Sequence, residues 1–237
     1  MIRALRVAAF LLLAPATLPA CGSAPPPPPT LPPPAPEAPA PIDSGPLSVE
    51  GEIGGLNEEA MNRAFTSLDG PVQACLDEAT GRLPVLGGRF NLKLRIDRAG
   101  RARWVYLSEN TLGDREAELC VLTLVRDKQW PKPLGGEGLA ERSYELDARA
   151  KPAELEAKWV RPAIAKVAQE AWGCRKGIRG KFRVIAYLRP DGRVLAASVA
   201  PPNERGEDAA DCVVEAIRKV RFGQPGRKSK LSFDIWW

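Results

Sequence analysis

The side chains able to do chemistry in this sequence are few, and the most telling one is missing. The 237 residues contain no histidine. That removes the commonest general base and metal ligand, and with them the serine–histidine and cysteine–histidine nucleophile arrangements. Carboxylate pairs such as Glu58/Glu59 and Asp208/Asp211 fall where helices are expected to start, a place where the helix dipole favours negative charge anyway. Gly87-Gly88 and Gly135-Gly136-Glu137-Gly138 precede strand-like runs and make no phosphate-cradling loop. The five cysteines, Cys21, Cys75, Cys120, Cys174 and Cys212, lack zinc-ligand spacing. No nucleophile, base and oxyanion donor come together. The sequence therefore predicts no enzyme, no catalytic residue, no metal and no cofactor.

Binding is the chemistry that remains. The net charge of +5 conceals an asymmetry: residues 50–147 carry 13 basic and 17 acidic side chains, and residues 148–237 carry 19 and 10. Arg175, Lys176, Arg179, Lys181 and Arg183, with Arg218, Lys219, Arg221, Arg227, Lys228 and Lys230, could face an anionic partner. The alternative is a solvated basic face that merely complements the acidic first half. Near the end of the chain Trp237 shares a strand face with Leu231, Phe233 and Ile235, while Trp236 points the other way. An exposed Trp236 suits recognition; a Trp236 covered by a helix suits the same pattern.

The elements that must position these residues are written twice. Displacing the chain by 92 positions lays residues 88–133 on 180–225 without a gap, with nine identities that include Gly100/Gly192, Cys120/Cys212 and Pro133/Pro225. Phe90, Leu92, Leu94 and Ile96 alternate with polar residues, as a strand with one buried face requires. Phe182, Val184, Ala186 and Leu188 repeat the alternation. Asp97-Arg98-Ala99-Gly100 and Pro190-Asp191-Gly192 supply the turns into return strands. Helical stripes follow at Ala117, Val121, Leu124 and Val125, and at Ala209, Val213, Ala216, Ile217 and Val220. Strand-like runs close each copy at 143–146 and 231–235. Each copy is also preceded by a helix, the first capped by Asn57. The second runs through Leu155, Trp159, Ile164 and Val167, with Pro162 kinking or restarting it. The predicted class is α+β: two tandem α-β-β-α-β units, each with a small antiparallel sheet and two helices.

Ahead of the units, a basic start at Arg3 and Arg6 leads into a short apolar run and Leu18-Pro19-Ala20-Cys21. This has the makings of a secretory signal, and the run is too short to span a bilayer. The cysteine after Ala20 resembles the lipobox of bacterial lipoproteins. That resemblance implies lipidation of Cys21, a membrane held through the lipid anchor and, with Gly22 following, an outer-membrane location facing the periplasm. An ordinary signal peptide cut nearby is the alternative. Twelve of the 24 prolines lie between Pro25 and Pro46, so residues 22–47 read as a disordered, polyproline-type spacer reaching roughly 80 Å at about 3.1 Å per residue. The expected boundaries are 1–20 for the signal, 21–50 for the lipidated cysteine and linker, 51–150 for the first module and 151–237 for the second. Export makes nucleic acid an unsuitable partner for the basic half.

Assigning Cys21 to lipid leaves two cysteines per repeat, one on each predicted helix and on its apolar stripe. Of the three connectivities, Cys75–Cys120 and Cys174–Cys212 are the choice that staples each unit internally. Buried unpaired thiols suit the same positions.

Leu83-Pro84-Val85-Leu86-Gly87-Gly88, Ser108-Glu109-Asn110-Thr111-Leu112-Gly113-Asp114 and Trp130-Pro131-Lys132-Pro133-Leu134-Gly135-Gly136, with Cys75 and Cys120 between them, resemble the AgmX/PglI C-terminal domain. That family is named for proteins of gliding motility and is similar in layout to the TonB C-terminal domain. The resemblance covers residues 56–147; the second copy keeps the cysteines and hairpin but not the 108–114 and 130–136 motifs. It implies a protein-binding adaptor or scaffold of an envelope motility or transport assembly. An edge strand in such a sheet can accept an extended peptide from an envelope protein, or can be covered by the protein itself. Peptidoglycan or another anionic polymer on the basic second repeat is the rival partner.

Overall fold

The period-two patterns and, upstream of residue 150 and after 200, the period-3.6 patterns become the elements they predict. The computed structural model describes residues 43–50 and 55–237. In the first half, α1 (Glu58–Arg82), β2 (Gly88–Ile96), β3 (Ala102–Ser108), α2 (Arg115–Asp127) and β4 (Gly138–Leu146) follow one another. Asn57 caps α1 by accepting the Ala60 amide at 2.7 Å. The helix buries Met61, Phe65, Val72 and Leu76 on Phe90, Leu92, Leu94 and Ile96 of β2. In the second half the order is β5 (Ala153–Leu155), a 3-10 turn (Ala157–Val160), α3 (Arg161–Glu170), a second 3-10 turn (Ala171–Cys174), β6 (Lys181–Leu188), β7 (Val194–Ala200), α4 (Glu204–Arg218) and β8 (Ser229–Trp236). The fold is α+β, with four helices and two four-stranded sheets among the described residues. Among the described residues no helix is long and apolar enough to cross a membrane.

A strand not foreseen in the sequence, β1 (Asp43–Glu50), completes the first sheet. The sheets run β1-β4-β2-β3 and β5-β8-β6-β7, antiparallel except for β5 on β8. The end of the segment expected to be spacer is therefore an edge strand. Leu47 and Val49 alternate with polar neighbours, and the proline-rich composition hides this. Pro46 is tolerated because it lies at an edge, where the register shifts between Ser44 and Leu47.

The repeated glycines have a steric cause. At Gly100 (φ 82°) and Gly192 (φ 80°) a Cβ would collide with the Trp130 and Gly223 carbonyls. The loop that follows each second helix crosses the hairpin tip there, with the Trp130 and Phe222 amides each donating to the glycine carbonyl at 2.8 Å. Only a residue without a side chain accepts both the backbone angle and the contact.

Two other expectations need correction. Leu155 and Trp159 are not on the helix of the second copy: Leu155 is in β5 and Trp159 in the 3-10 turn, 71% exposed. Pro162 starts α3, where its fixed φ suits the first turn, so the apolar spacing upstream only imitates a helix. Cys75 and Cys174 are buried, but Cys120 and Cys212 are exposed and lie off the apolar stripe. The disulfides are Cys75–Cys120 and Cys174–Cys212, with Cα–Cα distances of 5.9 and 5.6 Å. Each closes the solvent side of a helix contact.

Candidate functional site

The described residues, 43–50 and 55–237, form one unit, and its halves meet in a roughly two-fold manner. The start of α2 lies against β7, and the start of α4 lies against β3. At the centre Arg115 meets Glu207, residues 92 positions apart and therefore equivalent in the two copies. A symmetric contact places equivalent positions face to face, and here they carry opposite charge.

The segment 108–114 makes this junction. Asn110 is fully buried, accepts the Leu112 amide at 3.0 Å and donates to Glu118. Asp114 caps α2 by accepting the Glu116 amide at 3.0 Å. Gly113 (φ 89°) touches the second half so closely that a Cβ would stand 2.7 Å from Ile185 Cγ2. Beside it the Tyr187 hydroxyl donates to the Gly87 carbonyl at 3.1 Å and accepts the Gly87 amide at 3.2 Å. Burial pushes the Tyr187 phenol up to about 12. Tyr187 and Ala196 belong to the core of the first half.

Arg115 donates from Nη2 to Glu207 Oε1 and from Nε to Asp211 Oδ1, both at 2.7 Å. Its Nη1 is 3.7 Å from Glu118 Oε2. Burial opposes the guanidinium charge, yet Glu207, Asp211 and Glu118 hold the group more firmly protonated than usual. Glu118 has no exposed surface. Burial drives its carboxyl up to about 8, against Asn110, Ser198 and Arg115, which favour the ion. Glu207 is raised by burial too, opposed by Arg115 and Arg126. Glu118 Oε2 and Glu207 Oε2 accept no hydrogen bond.

The junction leaves one flank open. A groove of about 460 Å³ runs between Arg89, Glu109 and Thr111 of the first half and Lys181, Arg183 and Pro202 of the second. It lies where β6 begins and β7 ends in the second sheet. Gly180 and Trp237 exchange both backbone hydrogen bonds, at 2.9 and 3.2 Å. Alternation then turns the backbone groups of Ser232, Asp234 and Trp236 away from β6. Among the described residues that outer edge is paired only by β5, over Ser229–Leu231. The edge of β4 is covered by β1 from Leu139 to Glu145. In comparisons with family models, curated proteins and solved structures, nothing matches this chain.

The basic residues singled out in the sequence divide. Arg175, stacked 4.2 Å from the Trp172 ring, and Lys176, Arg179, Lys181 and Arg183 gather where β6 begins. Lys181 and Arg183 share Asp234 at 3.9 and 3.1 Å. Trp236 is 70% exposed with Lys181 over its ring, so no helix covers it. Lys228 is exposed at the opposite end of β8. Lys230 is not available to a ligand: it donates to the Gly87 carbonyl at 2.7 Å, and burial lowers its pKa. Cys21 lies outside the described residues. At the junction the buried cation, Arg115, comes from the acidic half. Sequence reasoning missed Arg115, Glu118, Glu207 and Tyr187. One signal was present: in the 92-residue alignment Arg115 falls on Glu207.

Proposed function

We propose that this chain is a non-enzymatic periplasmic adaptor, held on the outer membrane through lipid on Cys21, that binds an extended segment of an envelope protein by strand addition. The resemblance of residues 56–147 to the AgmX/PglI C-terminal domain supports this reading and would place the chain in a motility or transport assembly. The observation that carries it is the contrast between the two equivalent edges. The first sheet already holds an added strand, β1, antiparallel to β4 from Asp43↔Glu145 to Glu50↔Leu139. The corresponding lane along Ser232–Trp236 is unpaired among the described residues. An incoming strand would find backbone donors and acceptors at Ser232, Asp234 and Trp236, with an exposed indole to anchor a side chain.

The test removes one outward donor. Asp234→Pro deletes an N–H that faces away from β6 and leaves the β6–β8 ladder bonds in place. Asp234→Asn keeps the backbone and removes only the charge. With photo-cross-linking from position 232 in living cells, a defined envelope partner should be captured by the native chain and the Asn variant and lost with Pro. Equal capture by all three would refute strand addition.

A further inference from the structure

We infer that the end of the second sheet where β6 begins and β8 stops is a docking face for an anionic lipid bilayer surface. The face contains two tryptophans that a folded protein would ordinarily cover, Trp172 at 58% and Trp236 at 70% exposure. Each carries a cation over its ring: Arg175 over Trp172 at 4.2 Å, and Lys181 over Trp236 at 5.9 Å. The chain holds them together. The segment from Trp172 to Lys181 turns into β6, and Gly180 and Lys181 are the ladder partners of Trp237 and Trp236. Arg175, Lys176 and Arg179 on that turn have no carboxylate partner among the described residues.

Indoles beside exposed cations suit a lipid–water boundary, where the ring enters the headgroup layer and the charge meets phosphate. A protein partner would more commonly bury its tryptophans in a dry pocket ringed by polar groups. Charge complementarity agrees, since residues 148–237 hold 19 basic against 10 acidic side chains. This inference does not depend on strand addition or on lipid at Cys21.

The full chain carrying Cys21→Ser, which cannot be lipidated, should float with vesicles of equal parts phosphatidylglycerol and phosphatidylcholine and not with pure phosphatidylcholine. Each cation removed among Arg175, Lys176 and Arg179 should weaken partitioning about fivefold. R175E/K176E/R179E should abolish flotation. Trp172→Ala/Trp236→Ala should weaken it at low salt and remove the fluorescence blue shift that anionic vesicles induce. Trp172, Lys176, Arg179 and Trp236 are exposed and Arg175 is half-buried, and circular dichroism of the oxidised variants checks the fold. Equal flotation with both vesicle types would overturn the inference. So would native-like binding by R175E/K176E/R179E, or retention on isolated peptidoglycan without any vesicle binding.

Discussion

Glu118→Gln tests the junction between the halves most directly. The carboxyl is fully buried, and its pKa is displaced from the ordinary 4.5 to about 8. A raised acid pKa means that the folded protein binds a proton the unfolded chain has already released. Stability from this group is therefore intact below about pH 4.5, falls as pH rises toward 8, and is level above that. At about 1.4 kcal/mol per pKa unit the ceiling on the loss is about 5 kcal/mol. Glutamine keeps the Asn110 hydrogen bond through Oε1 and presents an amide to Ser198, but it cannot ionise. Urea unfolding followed by tryptophan fluorescence, disulfides intact, should show the two proteins close together near about pH 4.5 and the Gln variant several kcal/mol more stable near about pH 9. Both proteins keep the smaller slope of the same sign that Glu207 contributes. Parallel pH profiles would refute the argument, because they would mean that Glu118 is ionised throughout in the folded protein.

Three further outcomes follow from the same contacts. Arg115→Ala leaves the buried Glu207 without its cation and should cost about 3–5 kcal/mol in urea unfolding at neutral pH; a loss under about 1 kcal/mol would show that carboxyl already neutral. Gly113→Ala puts a Cβ 2.7 Å from Ile185 Cγ2 at φ 89°, so it should lower stability by about 1–3 kcal/mol and speed amide exchange at the Gly87–Tyr187 contact. Replacing Cys75 and Cys120 together by Ser opens a loop with a sequence separation of 45 and should cost about 4 kcal/mol on the chain-entropy model. Calorimetry of the oxidised double variant checks this.

Much of the fold was legible because it depends on local periodicity. Phe90 to Ile96 alternate as a half-buried strand must, whereas Val184 to Leu188 are buried on both faces because Ile185 and Tyr187 pack against the first half; the Gly100/Gly192 identity marks hairpin tips that the loop after each second helix crosses. Compositional bias concealed one element: eight residues at the end of a proline-rich stretch pair with β4, because a strand at an edge needs partners on one side only. Spacing misled at Leu155 and Trp159, where i, i+4 neighbours arise without a helix.

The sequence by itself determined the class, the duplication and which cysteines could pair, since each depends on neighbours within one repeat. Tertiary structure alone decided that Arg115, Glu118, Glu207 and Tyr187 form a buried junction, that Lys230 is spent on Gly87 while Lys181 stays accessible, and that one sheet edge is filled and its counterpart open. The physical reason is that burial and strand pairing are properties of two surfaces brought together. A charged or aromatic residue has the same letter in either setting, and only the opposing surface fixes whether it is solvated, neutralised or free to bind.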